Sequence, residues 1–169
     1  DTHCWESCVP CPTQVLGCTD STAVNYNSLA TEDDGSCISD VADDFVLYIN
    51  EFHYDNNMSD DNEGVEVVAS AGLTSAQLAL ITLTKYRGAG TEYGDYLLSE
   101  LVEGDTVDGL TYYSIVLPSN GLQNGSPSGI AVSGFGVVQF LSYEGVFTAT
   151  DGPASGLEST DVGVSESEG

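Results

Sequence analysis

Short runs of alternating apolar and polar residues dominate the chain from residue 44 onward, a pattern typical of β-strands with one buried face. Seven runs stand out, at residues 44–54, 63–70, 78–86, 95–102, 109–118, 129–133 and 137–145. Clusters of Gly, Asn, Asp and Ser separate them, and no stretch shows the repeat of a convincing amphipathic helix. Short strands with tight connections predict an all-β fold with a β-sandwich architecture.

The first run indicates how its strand divides the two faces. In strict alternation, one face carries Leu47, Ile49, Glu51 and His53. The strand is therefore expected to begin buried on both faces and to become polar on one face toward its end. This pattern places Glu51, His53 and Asp55 near the rim of a sheet.

The segments at the two ends of the chain differ in composition from the strand region. Residues 1–43 are polar and rich in Cys, and residues 151–169 are rich in Gly, Ser and acidic side chains. The predicted organisation is a Cys-rich module at 1–43, a β-sandwich at 44–150 and a tail at 151–169. We expect this tail to be extended over the surface or to serve as a linker.

Charge restricts the partners of the chain. There are 27 acidic residues against two basic ones, Lys85 and Arg87, which gives a formal net charge of −25. Because nucleic-acid affinity comes largely from Lys and Arg, we expect no nucleic-acid binding. Such a surface also avoids anionic membranes. It either attracts divalent cations or simply keeps the protein solvated and non-adhesive in salty water.

All five cysteines fall before residue 38, namely Cys4, Cys8, Cys11, Cys18 and Cys37. In a reducing compartment such a cluster would indicate zinc, with His3 as an additional ligand. The scarcity of Lys and the acidic composition are more typical of an exported protein, in which clustered cysteines form disulfides. We therefore predict disulfides and an extracellular or cell-surface location.

Three further features agree with export. Asn57 and Asn124 begin Asn-x-Ser triplets and are candidate glycosylation sites. No apolar run approaches the roughly 20 residues of a membrane span, so no membrane insertion is expected. The sequence opens with Asp1 and has no signal-like segment, which is expected for a mature or excised piece of a longer precursor.

Four stretches of the strand region resemble the bacterial lamin-tail domain family. They are VLYINEFHYDN (46–56), GVEVVASAG (64–72), GLQNGSPSGIAV (121–132) and VVQFLSYEGVFTATDGPASGLESTDVGVSES (137–167). The resemblance covers most of residues 46–167 and is closest from Gly121 onward. It implies an immunoglobulin-like β-sandwich, used in bacteria as an accessory module of secreted proteins, often beside extracellular nucleases, or in surface proteins.

Two departures limit what this resemblance implies. Relatives of the fold in nuclear lamins contact chromatin, but Lys85 and Arg87 alone cannot form a basic surface that binds DNA. The family also continues past the segment that matches VSES with further strand sequence. An edge of this sandwich is therefore closed without that strand, left open, or filled by another molecule.

A second resemblance lies in the Cys-rich module. GCTDSTAVNYNSLATEDDGSC (17–37) is similar to a short Cys-bounded repeat of exported proteins of marine bacteria and algae, which commonly occurs in tandem. The preceding CVPCPTQVLGC (8–18) resembles the end of an earlier copy. The chain is therefore expected to begin inside such an array.

The segment between Cys18 and Cys37 has too little hydrocarbon to offset the entropy of ordering, about 1–2 kcal/mol per residue. A Cys18–Cys37 disulfide would close this loop and contribute about 3 kcal/mol through the unfolded state. Five oxygen-bearing side chains could also converge on one Ca²⁺, namely Asp20, Asn25, Asn27, Asp33 and Asp34. Alternatively these are turn residues that bind no metal. A miniature core is expected from Ala23, Tyr26, Leu29 and Ala30.

A second acidic loop, DNNMSDDNEGVE (55–66), has the oxygen spacing of an EF-hand at Asp55, Asn57, Asp61 and Glu63. Its sixth position is Asp60 where an EF-hand requires Gly, and its flanks are predicted strands. The EF-hand interpretation therefore fails. What remains is either a weaker calcium site at the sandwich rim or a solvated hairpin loop.

Support for catalysis is thin. His3 and His53 are the only histidines, and no Gly-x-Ser-x-Gly motif is present to hold a nucleophile. The Gly-rich GAGTEYG (88–94) precedes no predicted helix and is therefore no phosphate loop. We expect no enzymatic activity and no cofactor other than the candidate calcium.

Five cysteines are an odd number, so a Cys18–Cys37 bond leaves Cys4, Cys8 and Cys11 with an unresolved pairing and one thiol over. That thiol is either free or bonded to a neighbouring chain. The favoured hypothesis is a non-enzymatic exported structural module, a subunit of a surface or filamentous assembly joined by β-strand and disulfide contacts. Its partners would be copies of itself or neighbouring modules of the same precursor. The alternatives are an accessory module of a secreted nuclease or other hydrolase, and a calcium-dependent adhesion module.

Overall fold

The computed structural model describes residues 13–54, 62–125 and 127–165. The chain forms two compact units, Asp1–Asp40 and Val41–Gly169. Several predicted site residues lie outside the described residues, namely Cys4, Cys8, Cys11, Asp55, Asn57 and Asp61. Among the described residues, no helix has the length and apolar character that crossing a bilayer requires.

The regular secondary structure of the second unit consists almost entirely of strands, which confirms the predicted all-β class. Its elements in chain order are β1 (Leu47–His53), β2 (Gly64–Ser70), α1 (Ser75–Leu78), β3 (Thr82–Arg87), β4 (Glu92–Leu97), β5 (Val102–Val107), β6 (Leu110–Val116), β7 (Ser128–Gly134), β8 (Val137–Tyr143) and β9 (Thr160–Asp161). The first sheet has the order β1-β2-β6-β5, and the second has the order β4-β3-β7-β8-β9. All pairings are antiparallel except the parallel pair β8–β9.

One hydrophobic cluster joins the two sheets. The first sheet contributes Leu47, Val67 and Tyr113, and the second contributes Ile130 and Val132, all with an exposed fraction of 5% or less. Because apolar residues of both sheets meet in one cluster, the sheets face each other as in a sandwich.

Two predicted runs contain helical turns in the structure. The run at 78–86 begins in α1, where the Thr74 hydroxyl accepts from the Gln77 amide and the Gln77 side-chain oxygen accepts from the Thr74 amide in a capping box. The run at 95–102 is interrupted by a 3₁₀ turn at Leu98–Glu100, which turns the chain between β4 and β5. Leu98 is buried within that turn, so its apolar character did not require a strand.

A β-bulge at Asn50 reverses the predicted faces of β1. The register passes from Ile49 opposite Val67 to Glu51 opposite Glu66, which leaves Asn50 as the additional residue. After the bulge, Phe52 packs against the core formed by Leu47 and Ile49, as does Tyr54, and His53 is exposed. Strict alternation, which put Glu51 and His53 on the face of Leu47, was therefore wrong beyond Ile49.

The chain after β8 covers the outer face of the second sheet. Phe147, Ala149 and Ala154 form a small cluster with Tyr86 and Phe140 on that face. The Tyr86 hydroxyl accepts from the Ala154 amide at 3.1 Å and donates to the Asp151 carbonyl at 3.2 Å. Residues 151–165 thus belong to the second unit, with Ala154 packed on the surface of the second sheet.

In the first unit, the predicted Cys18–Cys37 disulfide is present. Hydrogen bonds within short polar turns also order this unit. The Asn25 side chain donates to the Ser36 carbonyl and accepts from the Ile38 amide. Tyr26 and Leu29 are 46% and 76% exposed, so the expected miniature core does not form around them. Covalent closure and hydrogen bonds, rather than hydrocarbon burial, order this segment.

Candidate strand-binding groove

A groove of about 580 Å³ lies beside β1, and we call it the β1 groove. It is lined by residues 49–54 on one side and by Leu141, Val162, Val164 and Ser165 on the other. Five consecutive strand residues span about 16 Å, so the groove has the length of a short added strand. Its lining contains Phe52, Tyr54 and two valines, and is therefore largely apolar.

β1 is an edge strand, and no other strand of the described residues pairs with its outer side. The hydrogen bonds of β2 show which residues of β1 point outward. Ser70 donates to the Val46 carbonyl, whereas Ala71 donates to Gly109 on the side of β6. Because such bonds alternate along an antiparallel strand, the backbone groups of Ile49 and Phe52 point away from β2.

The first half of this edge is already occupied. The Oε1 atom of Gln139, on β8, accepts a hydrogen bond from the Ile49 amide at 2.6 Å. A side chain of the second sheet thus takes the place of a neighbouring strand at Ile49. Beyond the bulge, the edge from Asn50 to Tyr54 faces the β1 groove instead.

The opposite wall of the groove is a second strand edge. The Val162 amide donates to the Ser142 carbonyl at 2.8 Å, and Val164 accepts from the Glu144 amide at 3.0 Å, so residues 162–164 extend β9 along β8. Val162 and Val164 remain 39% and 46% exposed. The groove therefore separates an edge of each sheet, which is the geometry that accepts an extended peptide segment.

A stack of aromatic rings supports the groove from the core. The rings of Tyr54 and Tyr143 lie 4.0 Å apart, and Phe52 packs 5.7 Å from Tyr143. The Tyr143 hydroxyl donates to the Gln123 carbonyl at 2.7 Å. Burial raises the pKa of Tyr143 well above its ordinary value, and Tyr93 and Glu63 add to this effect. Tyr143 is therefore a neutral donor with a packing role.

A charged cluster lies inside the sandwich near these rings. Lys85 is only 9% exposed, and its Nζ atom donates to the Gly121 carbonyl at 3.0 Å. The same Nζ atom lies 5.0 Å from the Tyr93 ring centroid and 5.2 Å from that of Tyr96. Burial lowers the pKa of Lys85, and attraction by Glu63 acts in the opposite direction.

Glu63 completes this cluster from the first sheet. It is fully buried, and its Oε2 atom accepts from the Gly121 amide and, at 3.4 Å, from the Leu122 amide. Glu63 and Lys85 therefore bind the same loop from opposite sheets and fix its position at the end of the sandwich. Because both groups are buried and their contacts are with protein, we assign the cluster a structural role.

The polar rim residues lie on the outer face of the first sheet. His53 is exposed, and its Nδ1 atom is 3.2 Å from the Asn62 carbonyl. Glu51 lies opposite Glu66 in the register of β1 and β2, and the side-chain Nδ2 atom of Asn50 donates to the Glu66 carboxylate at 2.7 Å. These groups adjoin the part of the β1 edge that lines the β1 groove.

The five candidate calcium ligands of the first unit take part in local turns. Asp20 accepts from the Thr22 amide, Asn27 from Leu29, Asp33 from Gly35 and Asp34 from Ser36. Asn25 makes the bridge described above. Hydrogen bonds from the Thr22 amide and hydroxyl lower the pKa of Asp20, and bonds from the Ser36 side chain and amide lower that of Asp34.

Calcium binding by these residues stays a prediction. Within the described part of the chain, no three His, Cys, Asp or Glu side chains are grouped so that they could hold a metal ion. In the second predicted set only Glu63 is described, and its carboxylate is held inside the sandwich. Of the glycosylation candidates, Asn124 is described and is half-buried.

Sequence reasoning did not predict the hydrogen bond of Gln139 to Ile49 or those of Lys85 and Glu63 to Gly121. Gln139 lies 90 residues from Ile49, and no local pattern connects the two. Lys85 gave one usable signal, because it interrupts an otherwise apolar strand and is one of only two basic residues. Comparison of the chain with known protein families, with curated proteins and with solved structures found no match.

Proposed function

We propose that this chain is a non-enzymatic exported structural module that joins copies of itself at the cell surface or in an extracellular filament. Two kinds of contact would link the copies: strand pairing along the part of the β1 edge that lines the β1 groove, and disulfides from the N-terminal cysteines. The observation that carries the proposal is the β1 groove, an apolar slot between two strand edges.

The fold proposed with this function is an immunoglobulin-like sandwich of the lamin-tail type. Labelled in immunoglobulin order, the first sheet has the strand order A-B-E-D, and β3, β7 and β8 correspond to C, F and G. This correspondence supports the proposed type. β9 is then an additional strand beside G, and the β1 groove lies between A and that additional strand.

A second copy is the proposed occupant because of the cysteine count. With Cys18 and Cys37 bonded to each other, three cysteines remain, which is an odd number. Among residues 1–169, at least one thiol therefore has no cysteine left to pair with. A bond to a like chain uses this thiol, and it holds two copies close enough for a weak strand contact to form.

Self-association is the first test, measured by sedimentation velocity in low and high salt, with and without reductant. We expect non-covalent dimers or larger species that are favoured by high salt, because chains of charge −25 repel each other. Reductant is expected to remove any covalently linked species. A monomer that is indifferent to salt, reductant and EDTA would overturn the proposal.

Val164→Asp locates the contact. This substitution places a charge in the groove wall and is expected to weaken association at least about tenfold, because the charge would be buried without a partner. Val102→Asp is the matched control, since Val102 is 69% exposed on β5, the opposite edge of the first sheet. Equal weakening by both variants would show that the β1 groove is not the contact.

A further inference from the structure

We infer that the outer face of the first sheet binds an uncharged β-1,4-linked polysaccharide, with Tyr48 and Tyr112 stacking on alternate sugar rings. This inference goes beyond self-association and does not depend on it. It uses a different surface from the β1 groove, and it would attach the module to a matrix of sugar polymers.

The strand register places the two tyrosines in one row across the sheet. Tyr48 on β1 and Tyr112 on β6 both lie opposite Val68 on β2. Their strand neighbours Leu47 and Tyr113 belong to the core between the sheets. Because successive side chains of a strand alternate between its faces, the row of Tyr48, Val68 and Tyr112 points to the outer face. Both tyrosines of the row are partly exposed.

The spacing of the tyrosines matches a polysaccharide. One strand separates Tyr48 from Tyr112, which puts their Cα atoms about 10 Å apart at the usual distance between strands. This distance is close to the repeat of a β-1,4-linked disaccharide, in which every second ring presents the same face. Alternate rings can therefore pack their C–H surfaces on the two aromatic rings while the polymer runs across the strands.

The surroundings of the row leave it accessible. Gly104 of β5 lies beside Tyr112, and a Cβ atom at this glycine would be 3.9 Å from the Tyr112 Cβ atom. The glycine therefore places no side chain next to that ring. On the same face, Val102 and Val116 are 69% and 76% exposed. None of the three residues of the row belongs to a core cluster.

A polar row lies beside the aromatic one. Glu51, Glu66 and Ser114 are opposite one another on β1, β2 and β6, and they point to the same outer face. Two residues along a strand correspond to about 7 Å, which these side chains and the hydroxyl groups of a sugar can bridge. A shallow cavity of about 310 Å³ adjoins this row, and its lining includes all three residues. Ionised carboxylates only accept hydrogen bonds, so sugar hydroxyls are suitable donors.

Charge restricts the class of polysaccharide. A chain of net charge −25 repels sulfated and carboxylated sugars, and this face itself carries Glu51 and Glu66. An uncharged polymer supplies hydroxyl donors without that repulsion. A polycation would be attracted by the charge of the whole chain, whereas the spacing of the tyrosines is specific to this face.

Titration calorimetry with hexasaccharides tests the inference. The probes are cellohexaose and fully acetylated chitohexaose, which are uncharged and β-1,4-linked. Maltohexaose, which has α-1,4 links and a different repeat, is the control ligand. We expect at least one β-linked probe to bind and maltohexaose not to bind. The dissociation constant is expected to be the same in low and high salt, because the ligand carries no charge.

Variants of the two tyrosines locate the site. Tyr48→Leu and Tyr112→Leu each keep a large apolar side chain but remove the flat ring, and each is expected to weaken binding at least about fivefold. Tyr112→Phe keeps the ring and is expected to stay within about twofold of the original value. Tyr26→Leu is the matched control, since Tyr26 is a 46% exposed tyrosine of the first unit. Thermal unfolding of each variant checks that the sandwich is intact.

Three results would overturn the inference: no binding of either β-linked probe, equal binding of maltohexaose, or unchanged binding by both leucine variants of the row. Salt-sensitive binding of a hexa-arginine peptide that Glu51→Gln and Glu66→Gln remove, without binding of either sugar, would assign the face to a basic protein segment instead.

Val164→Asp separates this inference from the proposed function. It is expected to weaken self-association and to leave the sugar affinity unchanged, because Val164 lines the β1 groove. A chain that binds the sugar but never associates would overturn the proposed function and support the inference. A chain that associates but binds no sugar would do the reverse.

Discussion

Replacing Lys85 by Met is expected to destabilise the sandwich by about 3 kcal/mol, because the buried charge of Glu63 would lose the attraction of Lys85 and the Gly121 carbonyl would lose the hydrogen bond from the Lys85 Nζ atom. The loss is large beside the 5–15 kcal/mol that typically separates folded from unfolded domains. We expect a fall in the thermal midpoint of more than about 10 °C. Chemical denaturation at pH 7, followed by intrinsic fluorescence, measures the change.

Two further variants identify the cause. Adding Glu63→Gln to Lys85→Met removes the remaining buried charge and is expected to recover part of the lost stability, since a buried charge is costly chiefly when an opposite charge that attracted it has been removed. Arg87→Met is the control on the same strand, where the guanidinium is exposed and lies over the Tyr93 ring, and it is expected to cost about 1 kcal/mol or less. An unchanged midpoint for Lys85→Met would show that the pair does not hold the sheets.

Replacing both Cys18 and Cys37 by Ser is expected to unfold the first unit while leaving the second unit folded. The bond closes a loop with a sequence separation of 19, and its loss costs about 3 kcal/mol in the chain-entropy account. Turn hydrogen bonds and half-exposed apolar side chains supply little to replace it. Amide hydrogen exchange across residues 13–40 measures the loss of order.

The second unit provides the internal control for this experiment. Its amides in β2, β3 and β7 lie in the middle of the sheets and are expected to keep their protection. If the amides of the first unit also keep theirs, the side-chain turns at Asp20, Asn27 and Asp34 are sufficient to order it. If both units lose protection together, they do not fold independently.

The strands that the sequence predicted best are those whose local pattern matches their surroundings. β2 and β8 were found within two residues at each end, because β-branched and aromatic residues run between clear turn signals. β5 was largely missed, since Val102–Val107 is exposed at every position and has no buried face to create an apolar pattern. Its order comes from pairing with β6, which depends on residues distant in the chain.

The candidate site was predictable only in part. The sequence predicted Glu51 and His53 at a sheet rim, and in the structure both lie on the edge strand β1 where it lines the β1 groove. The bulge at Asn50 could not be foreseen, because one additional residue in a strand leaves no signature that strict alternation detects. The hydrogen bond of Gln139 to Ile49 joins opposite sheets, and Glu63 and Lys85 meet at Gly121 from distant parts of the sequence, so these contacts follow from the topology rather than from local sequence.

The position of the two basic residues has a consequence for proteolysis. Trypsin-like enzymes cleave after Lys and Arg, and in this chain those residues occur only at Lys85 and Arg87, both on β3. β3 is paired on both sides, with β4 and with β7, so a protease cannot bind the strand residues that precede either scissile bond until the strand leaves the sheet. The acidic composition thus leaves only two trypsin cleavage points, and both are protected while β3 stays paired. The rate of tryptic digestion therefore reports how readily β3 separates from the sheet.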